Sequence, residues 1–381
     1  MEFDYSEEQR GLQEILQKFI ARDYDFAKRR GFARSSEGYS AAAWAQYAEL
    51  GLLSLPLPEA HGGLGGGAVD VMAVMELFGQ GLLLEPYVST VVACGGLLRD
   101  SGSEPQKSEF LPRIGAGGLQ MALAVYEAAG RYELAHVECH AETQGAGWRL
   151  SGQKSVVVDG PAAHYFIVSA RSAGKTADRD GVSVFLVPRG APGVTLSAYP
   201  TQAGGRAADL KLDNVSLDRA ALIGSEGRGL GLIERAVDQA CAALCAEAVG
   251  IMRALNQATS NYLKTRKQFG VAIGTFQALR HKMADMVMAA EQSQSMAIIA
   301  ATHAHLSDAP ARRRAVSAAK AYIGQAARLV GQHAVQMHGG MGVVDELIVS
   351  HYFKRLTMID LSYGDVDHHL AYFSDTLLPP A

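Results

Sequence analysis

The chain is poor in the residues that mark several common classes of protein. It has four cysteines, Cys94, Cys139, Cys241 and Cys245, at spacings that fit neither a zinc site nor a disulfide framework. No metal is expected, and a staple-dependent secreted fold is excluded. The expected compartment is a reducing one, most simply the cytoplasm. Cys241 and Cys245, four apart on a helical pattern, read as one buried helix face. Only 19% of residues are charged and the formal net charge is -4, so there is no basic field to attract nucleic acid or an anionic membrane surface. No apolar run is long enough to span a bilayer, which argues against membrane insertion. The acidic start, Met1-Glu-Phe-Asp-Tyr-Ser6-Glu-Glu, lacks the apolar stretch of a signal peptide. No internal repeat or low-complexity tract stands out, and the glycines from Gly62 to Gly67 read as a loop.

What is present is apolar content: 48% of 381 residues, enough for a large core and two or three domains. The first stretch reads as helical. Ser6-Glu-Glu-Gln9 has the pattern of a capping box, with Leu12, Ile15, Leu16 and Phe19 on one stripe behind it. Ala43, Trp44, Tyr47 and Leu50 continue a helix that ends at Gly51, and helical spacing returns from Val69 to Phe78. From about Leu119 the runs shorten and become β-prone: 148–150, 155–158, 165–168, 182–187, 194–196 and 210–212. Glycine, proline and Asx residues separate them as in an antiparallel β domain. The stretch from Arg171 to Gly181 is polar, an exposed loop. Beyond Gly229, long apolar-periodic segments run from Leu230 to about Lys267, from Thr275 to His305 and from Ala311 to His338. Pro310 suits the start of the last, and the lengths suit a bundle. The predicted fold class is α+β, with an N-terminal helical domain over 1–117, a central antiparallel β domain over 118–226 and a C-terminal helical bundle over 227–381.

The chemistry concentrates at the end of the first long C-terminal segment, Tyr262-Leu-Lys-Thr-Arg266-Lys267-Gln268-Phe269-Gly270-Val-Ala-Ile-Gly274. A guanidinium offers a planar fork of donors that suits phosphate oxygens. Phe269 offers a flat apolar face, and the glycines let backbone come close to a ligand. A basic helix end followed by a glycine cap accounts for the same residues. A second glycine cluster downstream, Gln336-Met-His-Gly339-Gly340-Met-Gly342, tips the balance toward a ligand.

Together these segments resemble the acyl-CoA dehydrogenase family, which carries R-x-x-F-G and Q-x-x-G-G-x-G elements in its C-terminal domain. The resemblance covers nearly the whole chain. Pro58-Glu59-Ala-His-Gly62-Gly63-Leu-Gly65 looks like the family's P-E-x-x-G-G-x-G loop. Leu150-Ser-Gly152-Gln-Lys154, Asp159-Gly160 and Ala170-Arg171 match its L-x-G-x-K, N-G and A-R sequence, and Leu222-Ile-Gly224-Ser-Glu-Gly227-Arg-Gly229 matches the exit from its β domain. The resemblance implies a four-helix C-terminal bundle and extended FAD whose diphosphate and adenine reach a neighbouring subunit. It implies that Arg266 pairs with the FAD pyrophosphate, that Phe269 packs near the adenosine, and that Gln336, Gly339 and Gly340 line the diphosphate. It implies, too, α,β-dehydrogenation of an acyl-CoA thioester to the trans-2-enoyl-CoA, as in fatty-acid β-oxidation, with electron-transferring flavoprotein as acceptor. A carboxylate removes the α-proton, acidified by hydrogen bonds to the thioester oxygen.

Which carboxylate serves is open. The family's Y-E-G-T loop aligns with Ser362-Tyr363-Gly364-Asp365, so the glutamate position holds Tyr363. Asp365, one residue past the glycine, is the first candidate for the base. The alternative helix position used by other members is Ala240 here. Glu247, two turns further on, is the second candidate, with a core ion pair as the competing reading. The flavin-contacting segment also departs from the pattern. Its threonine and serine positions hold Tyr126 and Tyr132, and the W-x-T element aligns with Val156 and Val158. The segments that reach a neighbour's FAD are intact while this chain's own ring-contact positions are altered. That asymmetry leaves two assemblies open. One is a homo-oligomer that dehydrogenates acyl-CoA by itself. The other is a hetero-oligomer, such as a heterotetramer, in which this chain, as a half-site or a non-catalytic subunit, completes the FAD site of a second acyl-CoA dehydrogenase subunit. Gly81-Leu-Leu-Leu-Glu85-Pro86-Tyr87 and Leu244-Cys-Ala-Glu-Ala-Val-Gly250 are similar to small subunits of pimeloyl-CoA and steroid side-chain dehydrogenases.

Overall fold

A close helix crossing organises the first of two compact units. Helices Ala68–Gly81 and Leu230–Thr265 approach so tightly that a Cβ at Gly250 would lie 1.8 Å from the Glu76 carbonyl oxygen, and one at Gly79 would lie 2.1 Å from that of Glu247. Facing glycines let the two backbones touch. The computed structural model describes residues 4–377, so the first three residues of the acidic start lie outside it. The first unit takes its described residues from Met1–Arg30, Ala68–Leu83 and Cys241–Ala381. The second consists of Gly31–Gly67 and Leu84–Ala240.

Within the first unit, Ser6 caps the helix Glu7–Asp23 in a full capping box with Gln9. Helices Gln277–His303 and Ala309–His338 pack on one another, and Ile348–Leu361 and Val366–Asp375 pack on Ala309–His338. Pro310 occupies the first turn of its helix, where its missing N–H costs nothing. Cys241 and Cys245 are buried along the face of Leu230–Thr265, as their spacing predicts. Among the described residues no helix is long and apolar enough to cross a membrane.

The second unit holds the helix Ala41–Glu49, which buries Ala43, Trp44 and Tyr47, and an eight-stranded sheet. Its strands are Met121–Ala124, His140–Gln144, Gly147–Val158, Tyr165–Arg171, Val182–Pro188, Val194–Pro200, Arg206–Asp218 and Leu222–Ile223. Most neighbours pair antiparallel, but Met121–Ala124 lies parallel to Tyr165–Arg171, and His140 pairs parallel with Arg171. Met121–Ala124 reaches its neighbour through a long connection rather than a hairpin, which is what parallel pairing requires. The polar stretch after Arg171 is a loop that Arg171 itself organises. Its guanidinium donates to the carbonyls of Ala135, Thr176, Asp178 and Asp180.

Candidate functional site

The helix Leu230–Thr265 stops where Arg266 donates its N–H to the Tyr262 carbonyl (2.8 Å), and a small antiparallel hairpin follows. Lys267–Gln268 pairs with Val271–Ala272, and the turn between them places Phe269 at φ 52° and Gly270 at φ 81°. Two successive positive φ values make the tight hairpin turn that favours glycine. A phenylalanine there is strained, and such strain gathers at binding sites. Phe269 is 91% exposed, touching the edge of Phe276 at a centroid distance of 6.1 Å. Arg266 is exposed beside it.

The helix Ala309–His338 ends at Gly339, which adopts φ 60° and ψ -141°, a conformation that only glycine takes easily. A Cβ at Gly339 or Gly340 would meet nothing of this chain within 4 Å, whereas one at Gly342 would strike the Val335 carbonyl at 2.6 Å. Gly342 is thus explained by packing within the chain, and Gly340 is not. Gln336 is exposed, and its carbonyl accepts the Gly339 N–H. The hairpin and this turn meet at one end of the bundle, where the Tyr262 ring stacks on the His338 imidazole at 4.4 Å and 26°. A glycine turn that no side chain of this chain crowds, at the same bundle end as an exposed guanidinium, suits an anionic group such as a diphosphate, so the residues at this end fit the dinucleotide tail of FAD.

The two candidate bases are both engaged. Asp365 is the N-cap of the helix Val366–Asp375, and its carboxylate accepts the His368 N–H at 2.9 Å. Glu247 is buried and receives a two-pronged ion pair from Arg355, at 2.5 Å (Nε to Oε1) and 2.7 Å (Nη2 to Oε2). Proton abstraction by Glu247 would require breaking that pair. Tyr363 sits at φ 58° and Gly364 at φ 119° in the turn ahead of the last helix. Lys320, itself fully buried, holds this turn by donating to the carbonyls of Asp360 (2.9 Å) and Gly364 (2.8 Å). Ala240 is buried and offers no carboxylate. Arg355 and Lys320 escaped the sequence reading. A buried Glu247 demanded a cation, but nothing in the spacing said which one.

In the sheet unit, Tyr126 and Tyr132 form an edge-to-face pair 6.4 Å apart, with the Arg131 guanidinium over Tyr132 at 5.7 Å. Val156 sits in a bulge at φ 53°, a rare conformation for a β-branched residue, and is 55% exposed; Val158 is also exposed. The Val156 N–H donates to Asp209 Oδ1 at 3.1 Å, which holds the bulge. The fully buried Lys154 joins Glu127 (2.6 Å) and Ser169 (2.9 Å). Glu127, His136 and Glu138 offer one ligand-type atom each within 4.8 Å of one another. Both Glu127 oxygens are already occupied, by Lys154 and by the N–H groups of Glu138 and Cys139.

The order of the domains and the fold agree with the relatives of this chain. Residues 6–118, 122–219 and 227–371 match the N-terminal, middle and C-terminal domains of acyl-CoA dehydrogenase. Acyl-CoA dehydrogenase FadE12 of Mycobacterium tuberculosis (strain ATCC 25618 / H37Rv) is 30% identical over 353 residues, covering 90% of this chain and 89% of its own. A variant of the Tcur3481–Tcur3483 steroid ACAD superposes with a TM-score of 0.88 at 28% identity, over 97% of this chain and 98% of that one. The ChsE4–ChsE5 complex from Mycobacterium tuberculosis does so with a TM-score of 0.89 at 25% identity, over 100% of both chains. With all three domains matched in order along nearly its full length, the chain belongs to the acyl-CoA dehydrogenase family, a family of oxidoreductases that typically bind FAD.

Proposed function

We propose that this chain serves the α,β-dehydrogenation of an acyl-CoA thioester as the subunit that completes the FAD site of a partner chain. One observation carries the reading: the Phe269–Gly270 turn stands in solvent, with Phe269 91% exposed, at the same end of the bundle as a glycine turn whose free space belongs to no residue of this chain. Bound FAD supplies the acceptor for the hydrogen that leaves the β carbon. The residues of this chain hold the tail: Arg266 pairs with the diphosphate, the Gly339–Gly340 backbone approaches it, Gln336 lines it and Phe269 covers the adenosine. The partner supplies the base and the contacts to the flavin ring, at positions where this chain carries Tyr126, Tyr132, Val156 and Val158. Two-subunit relatives, the ChsE4–ChsE5 complex and the Tcur3481–Tcur3483 pair, support the heteromeric form. Electron-transferring flavoprotein is the proposed acceptor, the domains run over 1–117, 118–226 and 227–381, and the four buried, unbridged cysteines suit a cytoplasmic setting.

A second reading, a homo-oligomer that carries out the reaction alone, is favoured by the presence of Asp365 and Glu247 near the family's base positions in the sequence. In that case Asp365 or Glu247 must leave its cap or its ion pair to take the α-proton. The absorption spectrum of the chain expressed alone separates the readings. The heteromer predicts a colourless protein that gains flavin only in the assembly isolated through a tag on this chain. A yellow chain that reduces dye with acyl-CoA by itself supports the homo-oligomer. In either assembly Arg266→Ala is expected to lower the FAD content, and an unchanged content removes both.

A further inference from the structure

The two segments proposed above to hold the FAD tail come from different helices, and a pair of stacked rings joins them. Tyr262 lies one helical turn before Arg266, and its carbonyl accepts the Arg266 N–H at 2.8 Å. His338 lies immediately before Gly339 and is buried. Its Nδ1 sits 2.8 Å from the Ala334 carbonyl, which can only accept, so Nδ1 carries the proton and the ring orientation is set from within its own helix. Burial also holds the imidazole below its ordinary pKa, favouring the neutral ring. The rings stack at 4.4 Å and 26°, and the Tyr262 hydroxyl faces the His338 carbonyl at 3.5 Å. Each ring is therefore anchored to one of the two cofactor-facing segments and touches the other.

We propose that the Tyr262–His338 stack is a positioning pair that sets the separation of Arg266 from the Gly339–Gly340 turn, so that both reach the same dinucleotide diphosphate. The inference rests on the proposed role of this bundle end. A charged fork and a glycine turn reinforce one another only when their spacing is fixed before the ligand arrives. An aromatic pair is strong enough to matter: its loss corresponds to a change of about two- to tenfold in affinity.

The test uses the assembly isolated through a tag on this chain, stripped of flavin and titrated with FAD and, separately, with FMN, which lacks the diphosphate and the adenosine. Tyr262→Leu is expected to weaken FAD about two- to tenfold and leave FMN unchanged, while Tyr262→Phe, which keeps the ring, keeps FAD affinity at that of the unmodified assembly. Should Tyr262→Leu precipitate, His338→Gln, which removes the ring and keeps a polar side chain, takes its place with the same expectations. FAD affinity that ignores loss of the stack, or FAD and FMN affinities that fall together, overturns the proposal. The Arg266→Ala assembly separates the two levels. If that change weakens FAD and Tyr262→Leu does not, only the positioning role fails; if neither does, the reading of the bundle end fails with it.

Discussion

The Glu247–Arg355 pair decides whether Glu247 is a strut or a base. Glu247 is 3% exposed, and the Arg355 side chain is 26% exposed. The guanidinium meets both carboxylate oxygens, at 2.5 and 2.7 Å, and so ties Leu230–Thr265 to Ile348–Leu361. Removing either partner strands the other charge in a poorly solvated place, at a cost of about 3–5 kcal/mol. Removing both strands neither, so the double variant is expected to cost little more than one single change. The coupling energy is then close to the cost of one single change, about 3 kcal/mol or a little more, at or above the top of the usual range for residues in direct contact. The assay is urea unfolding followed by circular dichroism for Glu247→Ala, Arg355→Ala and the double variant, with Glu247→Gln added as a near-isostere. If Glu247→Gln stays within about 0.5 kcal/mol of the unmodified chain while α-proton exchange of a bound thioester stops, the strut argument is refuted and Glu247 is the base.

His369 makes a prediction about pH. It is buried, and desolvation, reinforced by the nearby Lys320 ammonium and His368, lowers its pKa to about 2. The unfolded chain takes up this proton near pH 6.5 and the folded one does not. The contribution is therefore intact above about pH 6.5 and is lost as the pH falls, at up to about 1.4 kcal/mol per pH unit. His369→Gln is expected to flatten the fall in urea midpoint between about pH 6.5 and pH 4.5, and an unchanged slope contradicts the assignment. Phe269→Ser should leave the unfolding free energy within about 0.5 kcal/mol, because the ring is 91% exposed. The same variant should lower the FAD content of the assembly, and full retention of FAD would count against the adenosine contact.

Much of the fold was legible because it rests on local rules. The Ser6–Gln9 capping box, Pro310 in the first turn of its helix and the buried face of Ala43, Trp44 and Tyr47 all follow from spacing along one helix. The β-prone runs also became strands, though longer ones: the two runs at 148–150 and 155–158 merged into Gly147–Val158, with a bulge at Val156. The bulge was hidden because it depends on the Asp209 carboxylate, a long-range partner that captures the Val156 N–H. The candidate site divides in the same way. Arg266, Phe269, Gln336, Gly339 and Gly340 could be picked out from two short motifs. That Asp365 is spent on a helix cap was local and readable; that Glu247 is spent on Arg355 was not.

The amino-acid order by itself determined the succession of helical, β and helical segments, and the two motifs that face outward. Such features depend on periodicity, caps and glycines within a few residues of one another. Tertiary structure alone decided that Gly79 and Gly250 let two distant helices touch, that Arg355 claims Glu247, and that Tyr262 stacks on His338 where the two motifs meet. Each of these is a contact between residues far apart in the chain. Its geometry is set by how whole helices pack, which no local pattern records.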